Sequence, residues 1–164
     1  ALSLVGALAL FPGGTETAAW GGLGGMPMPM EYRRASADFD AFMLDLRDQA
    51  GLATTNQTYT MLQAVLQVFR RRLRVSEAVA FASVLPPVLR AIFVSDWNVD
   101  EPCRAFGTRA EMTREARELR PEHNFSTETA IADVAGVLRR HVDVSAFDRM
   151  LDRLPPAARA FWAI

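Results

Sequence analysis

A chain of 164 residues that is 50% hydrophobic and 23% charged has the apolar mass for one core, or for two small halves sharing one, and global disorder is excluded. Its 18 basic residues meet 19 acidic ones, and the balance persists locally: 8 against 8 in residues 31–100, 10 against 10 in 101–164. Neither half therefore has the cationic excess that drives nucleic-acid binding. Every basic residue is arginine, which excludes Schiff-base and P-loop lysine chemistry, and the single cysteine, Cys103, excludes an internal disulfide and a multi-cysteine zinc site.

Residues 1–30 hold seven of the ten glycines, three prolines and one charge, Glu16. They are expected to form an irregular extension outside the main fold, pinned by the body of the protein or by a neighbouring subunit. The run Ala1 to Phe11 is apolar apart from Ser3 and falls well short of the roughly 20 residues that span a bilayer. A cytoplasmic location is expected; export is the alternative if this run is the remnant of a signal peptide.

From Ser36 the period becomes helical. Phe39, Phe42, Met43, Leu46 and Ala50 share one face, with Ser36 as predicted N-cap and Gly51 as stop. A second helix is predicted from Thr55 or Gln57 through Leu62, Val65, Leu66, Phe69 and Leu73, with Arg70, Arg71, Arg72 and Arg74 at the end where positive charge suits the dipole. Ser76 then caps a short helix over Glu77 to Leu85, Pro86-Pro87 interrupts it, and Pro87 opens the next helix, which runs to about Trp97. Asn98 to Pro102 reads as a linker. Phe106, Ala110, Thr113, Ala116 and Leu119 predict a further helix ending before Pro121.

The pattern then recurs. Aligning Leu85-Pro86-Pro87 with Leu154-Pro155-Pro156 sets an offset of 69 that runs without a gap from Thr58 to Phe93, and 13 of those 36 positions are identical. Ordinary composition would produce about two or three matches, so the chain carries an internal duplication. Non-identical pairs also exchange one apolar shape for another, as at Leu62 and Ile131, Phe81 and Met150, and Phe93 and Trp162. The expected architecture is all-α: an extension over 1–30, a first helical-bundle repeat over 31–100 and a second over 101–164, the two packed together. In the second repeat Ser145 is the predicted cap, with Asp148 as an acidic partner.

The duplication also marks the arginines. Arg90 and Arg159 follow the double proline by one turn, where a guanidinium can bond carbonyls freed by the helix break. Arg70 and Arg71, with their counterparts Arg139 and Arg140, form a two-sided basic patch that could receive an anionic partner or simply end a solvated helix. These six are the candidate binding residues.

Other chemistry is thin. His123 and His141 lie outside any His-Glu-x-x-His pattern, and His141 suits a helix C-terminus. Glu111, Glu115, Glu118 and Glu122 share a helical face with Arg114 and Arg117 interleaved, which reads as a solvated surface rather than a carboxylate metal site. Gly21 to Gly25 has no preceding strand to make it a phosphate cradle. No catalytic residue, metal ligand or cofactor is assigned.

Over residues 36–164 the chain resembles a family of bacterial proteins catalogued as domain of unknown function 2267. The resemblance rests on Phe69-Arg70-Arg71-Arg72-Leu73, Val75-Ser76-Glu77-Ala78, Leu85 through Arg90, Trp97, and the closing Leu154-Pro155-Pro156 through Phe161-Trp162. It implies a duplicated all-helical fold and supplies no activity, cofactor or catalytic residue. The functional expectation is a non-enzymatic interaction or structural subunit docking through its N-terminal extension onto a protein partner or a second copy, within a larger assembly. The alternative is a small-ligand binder or enzyme with a pocket between the repeats lined by Arg90 and Arg159.

Overall fold

The computed structural model describes residues 28–119 and 125–164. Among them the regular elements are all helices: α1 (Met30–Arg33), α2 (Ala35–Ala50), α3 (Thr55–Arg70), α4 (Val75–Ala82), α5 (Pro87–Val94), α6 (Arg109–Glu118), α7 (Ala130–His141), α8 (Val144–Leu151) and α9 (Pro156–Phe161). The protein is all-α, as its periodicity predicts. The expected extension over residues 1–30 lies, apart from its last three residues, outside the described part.

Local chemistry explains most boundaries. Gly51 adopts the left-handed conformation at φ 65° and ends α2, with the Leu52 N–H returning to the Arg47 carbonyl at 3.0 Å. The Thr54 side chain accepts the Gln57 N–H at 3.2 Å while the Gln57 carbonyl oxygen Oε1 accepts the Ala53 N–H at 3.1 Å, so α3 starts at Thr55. Pro87 opens α5 as expected.

Three caps differ from expectation. Ser36 lies inside the first turn of α2, because α1 runs to Arg33 and leaves only Arg34 as a joint. Ser76 lies inside α4: the Glu77 carboxylate reaches back to the Arg74 N–H at 2.8 Å, which starts the helix at Val75. At α8 the cap is Asp143, whose carboxylate accepts the Ala146 N–H at 2.9 Å; Ser145 is inside the helix and Asp148 turns away to Arg139. A carboxylate in reach outcompetes a hydroxyl because its hydrogen bond to N–H is charge-assisted. α5 also ends earlier than predicted, at Val94, and Asp96 takes a positive φ of 48° just beyond. α6 begins only at Arg109, where Thr108 and Glu111 exchange reciprocal bonds of 2.7 and 3.2 Å.

The duplication is visible in the elements. α4 and α8 have the same length and begin 69 residues apart, and α5 and α9 also begin 69 residues apart. The prolines flanking the last two share a backbone conformation, φ −55°, ψ 152° at Pro86 and φ −52°, ψ 145° at Pro155. Packing is crossed rather than side by side: α2 packs most extensively on α7, α6 packs most extensively on α3, and α3 and α7 meet between them. Each repeat thus completes the other, and the hydrophobic cluster is continuous across both. At its centre Phe69 lies 4.8 Å from Phe81, 5.0 Å from Phe161 and 5.1 Å from Trp162, ring centre to ring centre. Phe69, Phe161 and Trp162 contact each other at tilted or edge-on angles, the arrangement that aromatic quadrupoles favour.

Because Phe69 is fully buried among rings from both repeats, Phe69→Ala should cost about 3–5 kcal/mol in urea unfolding. Phe125→Ala, at a ring 51% exposed, should stay within about 0.5 kcal/mol of the parent. Equal losses would contradict a core shared between the repeats.

Candidate functional site

The six arginines singled out by the duplication divide sharply. Arg70, 4% exposed at the end of α3, donates through Nη1 to the carbonyls of Phe93 at 2.6 Å and Ser95 at 2.8 Å. Its guanidinium also sits 5.3 Å over the ring of Trp97. The carbonyls at the end of α5 have no partner within their own helix, and the arginine supplies one. Arg139 repeats the contact in the second half: its Nη2 donates to the Trp162 carbonyl at 3.5 Å, Trp162 being the counterpart of Phe93. It adds an ion pair to Asp148 at 3.0 Å and lies 5.4 Å from the ring of Phe147. Both arginines fasten the second helix of a repeat to the end of its last one.

Arg71 belongs to a surface network. It pairs with Glu115 at 3.4 Å and Glu101 at 3.9 Å, while Arg72 meets Glu115 at 2.6 Å and Arg104 meets it at 3.2 Å. Three guanidiniums therefore converge on one carboxylate of α6. Burial pushes the Glu115 carboxyl up, but the Arg72 hydrogen bond and the charges of Arg72 and Arg104 outweigh it and hold the group below its ordinary value. The glutamate face of α6 is thus partly a clamp rather than a wholly solvated surface.

Arg90 behaves as the helix break predicts, donating to the carbonyls of Ala82 and Leu85, both at 3.1 Å. Arg159 does not: its guanidinium pairs with the side chain of Asp152, so the two-arginine pocket expected between the repeats is not formed. The physical reason is local competition. Asp152 stands one turn before the double proline, where the first repeat has Ser83, and a carboxylate captures the guanidinium ahead of neutral carbonyls.

Arg90 instead shares a groove with Arg140. The groove encloses about 690 Å³ between α2, the double-proline turn and the α7–α8 turn. Its floor is apolar, formed by Phe39, Phe42, Val88 and Val142 among others; its rim carries Glu31, Asp38, Arg90, Arg140, His141 and Asp143. Asp45 of α2 ties the rim to α7, 2.8 Å from His141 Nε2 and 3.8 Å from Arg140. The His141 hydrogen bond holds the Asp45 carboxyl below its ordinary value. The His141 ring also stands edge-on to Phe42 at 5.3 Å. Sequence reasoning placed His141 and Arg140 at a helix end but had no means to find the groove, whose walls come from residues about 50 to 100 positions apart.

The remaining candidates are structural or lie outside view. The Cys103 thiol donates to the Leu73 carbonyl at 3.2 Å. His123 and Glu122 fall outside the described residues. Among the described residues no group of three or more His, Cys, Asp or Glu could hold a metal ion. No helix among them is long and apolar enough to cross a membrane.

Two variants test these roles. Arg70→Ala strips a charged donor from two carbonyls and should destabilise the fold by about 2–4 kcal/mol, whereas Arg140→Ala, at a half-exposed ion pair, should cost under about 1 kcal/mol. For Glu115 the folded carboxyl titrates below the ordinary value of 4.5, so its contribution is complete above that pH and is lost as pH falls through the lowered range. Glu115→Gln should therefore be less stable than the parent at pH 7, and the gap should close on acidification below 4.5 in pH-dependent denaturation.

Comparison with curated proteins gives no match. A family model described as "Uncharacterized conserved protein (DUF2267)" matches residues 39–161, from α2 to the last residue of α9, so the helices that build the core, the arginine clamps and most of the groove all fall within it. The chain belongs to that family.

Proposed function

We propose that this protein is a non-enzymatic helical interaction module, a structural subunit that docks through its N-terminal extension onto a protein partner or a second copy within a larger assembly. One observation carries the reading: the groove at the seam between the repeats is lined by apolar side chains such as Phe39, Phe42, Val88 and Val142, with Arg90, Arg140, His141, Glu31, Asp38 and Asp143 beside them. A surface of that kind matches the anatomy of a protein-docking patch, apolar at the centre and polar at the edge. Of the arginines that could have held an anion, Arg70 and Arg139 are engaged at carbonyls and Arg71 at surface carboxylates. Cytoplasmic residence in a bacterium fits the lone cysteine, with export as the alternative if Ala1 to Phe11 is a signal remnant.

A second reading has one observation in its favour. A groove of about 690 Å³ lies within the range of small-ligand pockets, roughly 300–1,000 Å³, and Arg90 and Arg140 would be its polar anchors.

Removing residues 1–30 separates the two readings. The truncated chain should lose the oligomeric state and co-purifying partners of the full chain, read by light scattering after size exclusion and by affinity capture from the source. Unchanged assembly would defeat the docking role. Saturable small-molecule binding that survives truncation and disappears in Arg140→Ala would establish the second reading instead.

A further inference from the structure

Six charged side chains line the groove between α2, the double-proline turn and the α7–α8 turn, and four of them are already engaged. Arg90 donates to the carbonyls of Ala82 and Leu85 and lies 4.0 Å from Glu31. His141 Nε2 is held by Asp45 at 2.8 Å, and the Asp143 carboxylate accepts the Ala146 N–H at 2.9 Å. The other two, Asp38 and Arg140, have capacity to spare. The Asp38 carboxylate, exposed in the first turn of α2, makes no hydrogen bond or ion pair among the described residues. Arg140 has Asp45 as its one partner among them, 3.8 Å from Nε, which leaves the Nη groups of a half-exposed guanidinium without a hydrogen bond. Beside these charges Phe39, Val84, Val88 and Val142 line the groove and are only partly buried.

The helix fixes how far apart the two spare charges stand. Asp38, Phe42 and Asp45 share one face of α2, and from Asp38 to Asp45 is two turns, about 10 Å along the axis. Arg140 stands at the Asp45 end. We propose that the groove binds a small zwitterion with an apolar body, a peptide of about three apolar residues with both termini free, its ammonium at Asp38 and its carboxylate at Arg140. The inference rests on the second reading above, the groove as a small-ligand pocket, and names the class of ligand. Three observations carry it. The span agrees, because three extended residues also reach about 10 Å. The charge agrees: three basic and three acidic side chains line the groove, so it favours a guest without net charge, and a ligand bearing one charge would leave either Asp38 or Arg140 unanswered. A carboxylate suits the planar fork of a guanidinium, and an ammonium suits an unpaired carboxylate. The surface agrees as well, since apolar side chains of the peptide would cover what Phe39, Val84, Val88 and Val142 leave exposed.

The test is a titration of the isotope-labelled full chain with trileucine, followed by amide chemical shifts. Trileucine should shift the amides of Val88 and Val142 saturably and leave that of Leu44, exposed on α2 outside the groove, unmoved. Acetylating the peptide's amine should weaken binding about threefold to fivefold, and so should amidating its carboxylate, the range of an exposed ion pair. Each loss should belong to one partner: Asp38→Asn should bind acetylated trileucine as well as the parent does, and Arg140→Ala should bind the amide as well as the parent does. Both side chains are on the surface, so both variants keep the fold. Absence of saturable shifts, or equal affinity of the parent for free and blocked peptides, overturns the proposal. A second arm uses anilinonaphthalene sulfonate, an apolar dye with a single negative charge. Saturable dye binding that weakens in Arg140→Ala and resists displacement by trileucine would overturn the zwitterion while keeping the small-ligand reading; a groove that takes neither molecule ends both.

Discussion

The structure depends on a helix that one repeat cannot bury. From Met61 to Arg70 every residue of α3 except Gln67 is buried, polar Gln63 and charged Arg70 included. A helix covered on nearly all sides needs neighbours on nearly all sides, and α2, α5, α6 and α7 supply them. Two of those neighbours come from the other repeat. The duplication is thus a structural requirement of the fold: α3 and α7 each provide the apolar surface that the other half lacks.

Burying both central helices creates a second problem, which the paired arginines solve. The last helix of each repeat is short, α5 with eight residues and α9 with six, and a helix of that length leaves carbonyls unpaired over half of it or more. Arg70 and Arg139 reach from the central helices to those carbonyls. A guanidinium suits the task because it presents several donors in one plane and keeps its charge when buried. Arg109 extends the same device, donating to the carbonyls of Ala160 and Phe161 at 2.9 and 3.0 Å. Of the charge that looks like a binding patch in the sequence, Arg70 and Arg139 are used in closing helix ends, while Arg71 and Arg140 pair with carboxylates.

The two halves do not match everywhere. The α3–α4 turn is covered by the chain before α6, whereas among the described residues the equivalent α7–α8 turn lines a groove. Thr108 and Glu111 delay α6 to Arg109 and leave the preceding residues extended, whereas α2 runs from Ala35 directly after α1. A doubled fold gains a distinct surface in this way without disturbing its core.

Apart from α1 and three of the caps, the helices, their order, the double-proline breaks and the doubling itself were legible in the sequence, because proline geometry and apolar period act within a few residues of the chain and an offset of 69 needs no coordinates. Arg90 at its carbonyls was legible for the same reason, being five and eight residues from its partners. The clamps of Arg70 and Arg139, 23 residues from theirs, and the junction of three arginines at Glu115, 43 positions beyond Arg72, were not. Nor was the groove, whose walls meet only because α2 crosses to pack on α7. Which charges pair and which surface stays open is decided by how distant segments meet, and that depends on the packed fold rather than on any local run of residues.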